Sequence, residues 1–231
     1  PAGGAEGSAT TYYVGDFERG GALWLLGGLF VAVVLAVSRW HGLRSLVGLG
    51  LSLMFIITFV VPAILAGRDP ALVALVGALA VMLVTLYLAH GVNEQTTAAV
   101  VGTAIALGVT ILLGLWFIDR ASLTGFASEE ATFARFAVEG LDLRGLVLAG
   151  LIIGALGVLD DVTVSQASTV FTLHDTDPSL SVRQVFSSAM RVGRDHIAST
   201  INTLFLAYAG ASLALLVLFS TGGQPLDEIL T

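Results

Sequence analysis

Cysteine and lysine are both missing from this chain, and charge of either sign is scarce. Without cysteine there can be no disulfide and no thiolate metal site. All ten basic residues are arginines, scattered along a chain of net charge −7. With no basic patch, nucleic-acid binding is excluded as a function class. Charged residues make up 12% of the 231 positions, about half of the ~25% that a water-facing surface requires. The initiating methionine and any signal-peptide pattern are also lacking before the first apolar run, so the chain reads as a processed or trimmed piece of a longer product.

What is abundant is apolar sequence. Hydrophobic residues account for 56% of the chain and the mean hydropathy is +0.92. Runs at about 21–38, 45–66, 71–89, 96–118, 144–172 and 196–220 are each long enough for a hydrocarbon core of ~30 Å, which takes about 20 helical residues. The expected fold class is therefore all-α, a polytopic membrane protein of about six transmembrane helices. Residues 1–20, rich in glycine and small polar side chains, read as a flexible lead-in. Residues 21–220 read as the membrane domain, and 221–231 as a tail cut before further membrane sequence. The lipid bilayer is the one certain surrounding. The positive-inside rule does not orient the chain: Arg39, Arg44, Arg183, Arg191 and Arg194 balance Arg19, Arg68, Arg120, Arg135 and Arg144. The acids lean to the other side of that balance, which favours an extracytoplasmic N-terminus.

Two connectors carry a pattern of their own. Residues 119–143 are acidic with Phe126, Phe133 and Phe136 interspersed, as in a short surface helix. In "VRQVFSSAMRV" (182–192), Val182, Val185, Phe186, Ala189 and Met190 share one face, with Arg183, Gln184, Ser187, Ser188 and Arg191 opposite. That separation predicts a short amphipathic helix lying in the membrane interface or packed on the protein's own loops.

Polar residues inside a membrane are costly and concentrate where function or helix pairing needs them. "GALGVLDDVTVSQAS" (154–168) holds adjacent Asp160 and Asp161, followed by Thr163, Ser165, Gln166 and Ser168. At 100° per residue, Gly150, Gly154, Gly157 and Asp161 fall within about 40° of one another. Glycines in such a row predict a helix-packing face. Asp160 points about a quarter-turn away. In "RDHIASTINTLFLAYAG" (194–210), Asp195, Ser199 and Asn202 make one row and His196, Thr200 and Thr203 the next. A connector of some 20 residues makes the two segments antiparallel neighbours. Asp160 or Asp161 is expected to converge with Asp195, His196, Ser199 and Asn202 on one inward-facing ion or proton site, lined by Thr163, Ser165, Gln166, Ser168, Ser199, Thr200 and Thr203. Thr85, Thr96, Thr97 and Thr103 are weaker candidates, since membrane threonines often bond their own backbone. Each acid also has a structural reading: Asp161 as a protonated carboxyl between helices, Asp195 as a solvated charge at a helix start.

These two motifs, with "YYVGDFER" before the first span, resemble the YibE/F-like family of bacterial multi-pass membrane proteins over about Tyr12–Leu226. The resemblance implies a bacterial cytoplasmic membrane, an extracytoplasmic N-terminus, and a longer parent chain with an extra N-terminal helix and further membrane sequence after Thr231. It supplies no reaction. A fainter likeness joins Asp161 and the Arg183–Arg194 connector to one segment of RND-type permeases and SecF-type export factors, whose large periplasmic domain has no counterpart here.

Three functions compete. A secondary transporter or ion-coupled permease would use the carboxylates as a proton or cation site for an unidentified small solute or ion. A scaffold or accessory subunit would use the same residues as helix–helix bonds, with a homo-oligomer or protein partner. An intramembrane aspartyl protease would need Asp161 and Asp195 as a dyad sharing a proton; presenilin-type motifs and His-Glu-x-x-His are absent. No catalytic residue, metal ligand or cofactor is assigned.

Overall fold

The computed structural model describes residues 20–125, 133–136, 138 and 140–221. Its main elements are α1 (Gly20–Phe55), a π-helical turn (Ile56–Val60), α2 (Val61–Leu65), α3 (Pro70–His90), α4 (Glu94–Arg120), α5 (Leu143–Thr176), α6 (Val182–Ala211) and α7 (Leu213–Thr221). Most of the polar lead-in, the "YYVGDFER" motif, Phe126 and residues 222–231 lie outside the described residues. Internal contacts divide the chain into one unit ending at Val47 and a second beginning at Gly48.

In the first unit the expected loop after residue 38 is reduced to a single break. Arg39 takes φ 49° and ψ −123°, a conformation that a Cβ disfavours, and the helix resumes at once. Gly42 makes this possible. A Cβ there would stand 2.7 Å from the Val34 carbonyl oxygen and 2.9 Å from the Ser38 side chain, so only glycine permits the close return. Gly20–Leu65 is thus one 46-residue apolar helical stretch with an interruption at Arg39. At 1.5 Å per residue it is about twice the ~30 Å of a hydrocarbon core.

The second unit is organised around α5, which packs against α3, α4 and α6. Its helices begin where a short polar side chain caps the free backbone amides. Asp69 accepts from the Leu72 amide at 2.8 Å, Asn93 from Thr96 at 2.7 Å and Asp142 from Arg144 at 3.1 Å. At α6, Gln184 reaches back to the Ser181 amide at 2.9 Å. In the turn between α5 and α6, the Asp177 carboxylate accepts from the Ser179 hydroxyl (2.6 Å) and amide (3.0 Å). These bonds hold its pKa below the ordinary aspartate value.

The core is a set of four-residue rows. Ala74, Ala78, Met82 and Leu86 of α3 meet Leu148, Ala149, Ile152 and Leu156 of α5, with Val100, Leu107 and Ile118 of α4 closing the group. Alanines in these rows, and the buried Gly114 against Leu148 and Leu151, bring the helix axes close, which is how helices associate when lipid already satisfies their apolar surface. The outward faces carry large apolar side chains, Leu112, Trp116 and Phe117 on α4 among them. Four segments, Gly20–Leu65, Pro70–His90, Glu94–Arg120 and Leu143–Thr176, are long and apolar enough to cross a membrane. The chain is an all-α membrane protein.

Two expectations need correction. The amphipathic stretch 182–192 is no separate helix: it continues without a break into the polar-faced segment, giving the 30-residue α6. Val185 and Ala189 are buried, but Val182 and Phe186 stay exposed. No proline lies between 192 and 196, and Gly193 costs a helix interior only about 1 kcal/mol, so nothing there forces an end. The second correction concerns Gly150, Gly154 and Gly157, which have open space where a Cβ would be. The packed row of α5 is instead Gly145, Ala149, Ile152 and Leu156, roughly 120° around the helix. Bulky Leu and Ile in that row fill the gap between helices better than a line of glycines can.

Candidate functional site

Adjacent aspartates on a helix point about 100° apart, and in α5 that angle sends them to different neighbours. Asp160 lies on the α4 side, close to the packed row. Its carboxyl stands beside the Thr103 hydroxyl, and its Oδ1 is buried without a hydrogen-bond partner. Thr103, fully buried, shares a 2.5 Å hydroxyl–hydroxyl bond with Thr163. Thr163 is also placed to donate to the Leu159 carbonyl at 2.8 Å, so the pair ties α4 to α5 while remaining bonded to the helix. A turn or two further along α4, the buried Thr96 hydroxyl has no partner.

Asp161 faces α6. Its Oδ2 lies 3.5 Å from His196 Nε2, too long for a good N–H···O bond but within ion-pair range. The Asp161 side chain is 67% exposed and that of His196 35%. Around them Gly157, Val158, Ser199, Thr200, Thr203 and Leu204 complete a groove of about 390 Å³ between the two helices. Gly157 supplies no wall on the α5 side, while three hydroxyls line the α6 side. Two of these hydroxyls donate to their own helix, Thr200 to the His196 carbonyl at 2.9 Å and Thr203 to Ser199 at 3.0 Å. Their lone pairs remain available to a ligand.

Further along the hairpin, Gln166 of α5 closely approaches Gly193 of α6. A Cβ on Gly193 would stand 2.5 Å from Gln166 Oε1, so the buried glycine leaves the space that the amide occupies. This contact was not anticipated from sequence, where Gly193 looked like a connector residue. Its signal is that it falls four residues after Ala189 and three before His196, on the buried face.

The expected single cluster is therefore two. Asp161, His196, Ser199, Thr200 and Thr203 come together. Asp160 and Thr163 belong to the α4 seam, joined there by Thr103. Gln166 supports the hairpin, and the Ser165 carbonyl accepts from Thr169 at 2.8 Å. Asp195 and Asn202 are exposed and do not line the groove, and neither do Ser165 and Ser168. Among the described residues no three His, Asp or Glu side chains are grouped so as to hold a metal ion. Chemically, the groove pairs a carboxylate with an imidazole and surrounds them with neutral oxygen ligands.

Both motifs fall inside the stretch matched by one family model. The model described as YibE/F-like protein covers residues 26–231. The chain belongs to that family. No curated protein and no solved structure matches this YibE/F-like chain. Family and helices together make it a multi-span membrane protein.

Proposed function

We propose that this YibE/F-like chain is the membrane part of a secondary transporter or ion-coupled permease, with Asp161 and His196 as its proton or cation site. The observation that carries the reading is the Asp161–His196 pair in an open, hydroxyl-lined groove between two helices of the membrane domain. An ionisable pair within a membrane helix bundle is expensive, and facing a cavity is how such groups are tolerated where ions or protons move. In this reading the chain crosses a bacterial cytoplasmic membrane six times. The Gly20–Leu65 stretch divides at Arg39 into two spans, and residues 196–220 of α6 and α7 form the last. The N-terminus is extracytoplasmic.

A specific observation also favours the scaffold reading for part of the cluster. The Thr103–Thr163 bond joins a fully buried hydroxyl to a half-buried one at a helix seam, which suits a structural tie rather than a ligand. The two readings divide the aspartates between them: Asp160 structural, Asp161 functional.

The test does not require the solute. Protein reconstituted on a solid-supported membrane is given a pH step, and the transient current reports charge displaced as the site binds or releases a proton. Wild type gives a transient, Asp161→Asn and His196→Gln lose it, and Asp195→Asn, outside the groove, keeps it. A wild type without a transient, or an Asp161→Asn variant equal to it, overturns the proposal.

A further inference from the structure

Arg191 and Arg194 sit one turn apart on α6, both exposed, on the side away from the buried Val185, Ala189 and Gly193. Among the described residues neither has a carboxylate within ion-pair distance; the pair made by α6 is His196 with Asp161. Asp195 follows Arg191 by four residues and lies about 40° around the helix from it, on the flank of this face, without closing an ion pair to either arginine. The face on which the arginines stand does not end with them. At 100° per residue, Arg191, Arg194, Ala198, Ile201 and Phe205 fall within an arc of about 80°. Ile201 is 63% and Phe205 71% exposed.

Two cations followed by an exposed apolar row match the anatomy of one kind of molecule. From Arg191 to Phe205 the helix rises about 21 Å, close to half of the ~40–45 Å that a bilayer measures with its headgroups. We infer that this face of α6 is a binding site for an anionic phospholipid, its phosphate held between Arg191 and Arg194 and an acyl chain laid along Ile201 and Phe205. Guanidinium groups suit a phosphate because their planar fork donates two parallel hydrogen bonds, and this chain uses arginine alone. A lipid of net negative charge satisfies two guanidiniums better than a zwitterionic one, whose own ammonium competes for the phosphate. A soluble acidic segment would meet the arginines but leave the apolar row below them uncovered. The site lies across α6 from the Asp161–His196 groove and does not depend on the transport reading.

Native mass spectrometry of the detergent-purified chain with equimolar phosphatidylglycerol and phosphatidylcholine tests this. Wild type is expected to retain phosphatidylglycerol over phosphatidylcholine by roughly thirtyfold, the ratio that two arginines near a membrane surface supply. Arg191→Gln/Arg194→Gln brings the ratio near one, while Arg68→Gln/Arg120→Gln leaves it unchanged. Excess inorganic phosphate does not displace the lipid. Equal retention of both lipids by wild type, an unchanged ratio in the Arg191/Arg194 variant, or displacement by inorganic phosphate alone each overturns the assignment. The last result would make the ligand a free anion.

Discussion

Thr103 and Thr163 illustrate what one hydroxyl pair does between membrane helices. Each could have been satisfied by its own helix, and Thr163 in part is, so the interhelical bond adds only what the alternatives do not already provide. Such bonds average about 0.6 kcal/mol in double-mutant cycles. Thr103→Val, which also leaves the Asp160 carboxyl without its hydroxyl neighbour, is expected to lower stability by about 1 kcal/mol. A cycle with Thr163→Val should return a coupling near ~0.6 kcal/mol, read from unfolding in mixed micelles; a coupling of zero would mean that the two hydroxyls act separately. At this scale the sequence was partly legible. Helical spacing placed Asp161, Ser199, Thr200 and Thr203 on facing stripes, and the structure brings them to one groove. The same arithmetic did not assign partners. Whether Asp160 would turn to α4 or α6 depended on which row of α5 is packed, and that is set by the volumes of Ile152 and Leu156 rather than by the glycines.

Among the elements, α1 and α6 depart most from their expected boundaries, for opposite reasons. In α6 two segments expected to be separate are continuous, because the residues between them are compatible with helix and no proline interrupts them. Polarity in the sequence marked a change of surroundings, which is not the same as a change of backbone. In α1 the break is real but confined to Arg39, with no proline beside it and its enabling glycine, Gly42, three residues later. An arginine at positive φ is strained, and the strain gives opposite expectations for two substitutions. Arg39→Gly should stabilise the chain by about 1 kcal/mol. Gly42→Ala should destabilise it by about 1–3 kcal/mol, since the added methyl meets the Val34 carbonyl. Thermal unfolding midpoints in detergent compare the two; a shift of the same sign for both would rule out a strained turn at Arg39.

Across the whole molecule, the long apolar runs made the fold class readable, because hydropathy reports the solvent directly. The number of crossings was harder to read, because a helix of 46 residues satisfies the same criterion as one of 21. The lack of cysteine helps here: any single cysteine introduced is unique. With six spans, Ala66→Cys, beside the α2–α3 turn, and Ser179→Cys, in the α5–α6 turn, lie on opposite sides of the membrane. A membrane-impermeant maleimide applied to intact cells should label Ala66→Cys and spare Ser179→Cys until the membrane is opened. Labelling of both from outside would reject this topology.

The length of α5 has a mechanical side. Fifteen residues of helix follow Asp161, an arm of about 22 Å, and α6 returns alongside it. Packed closely where Gln166 meets Gly193, the two helices would swing together. A tilt of about 10° at the groove would carry the Asp177–Ser179 turn by about 4 Å over that arm. Slight rearrangements around a single carboxylate would thus be magnified at the tip of the hairpin.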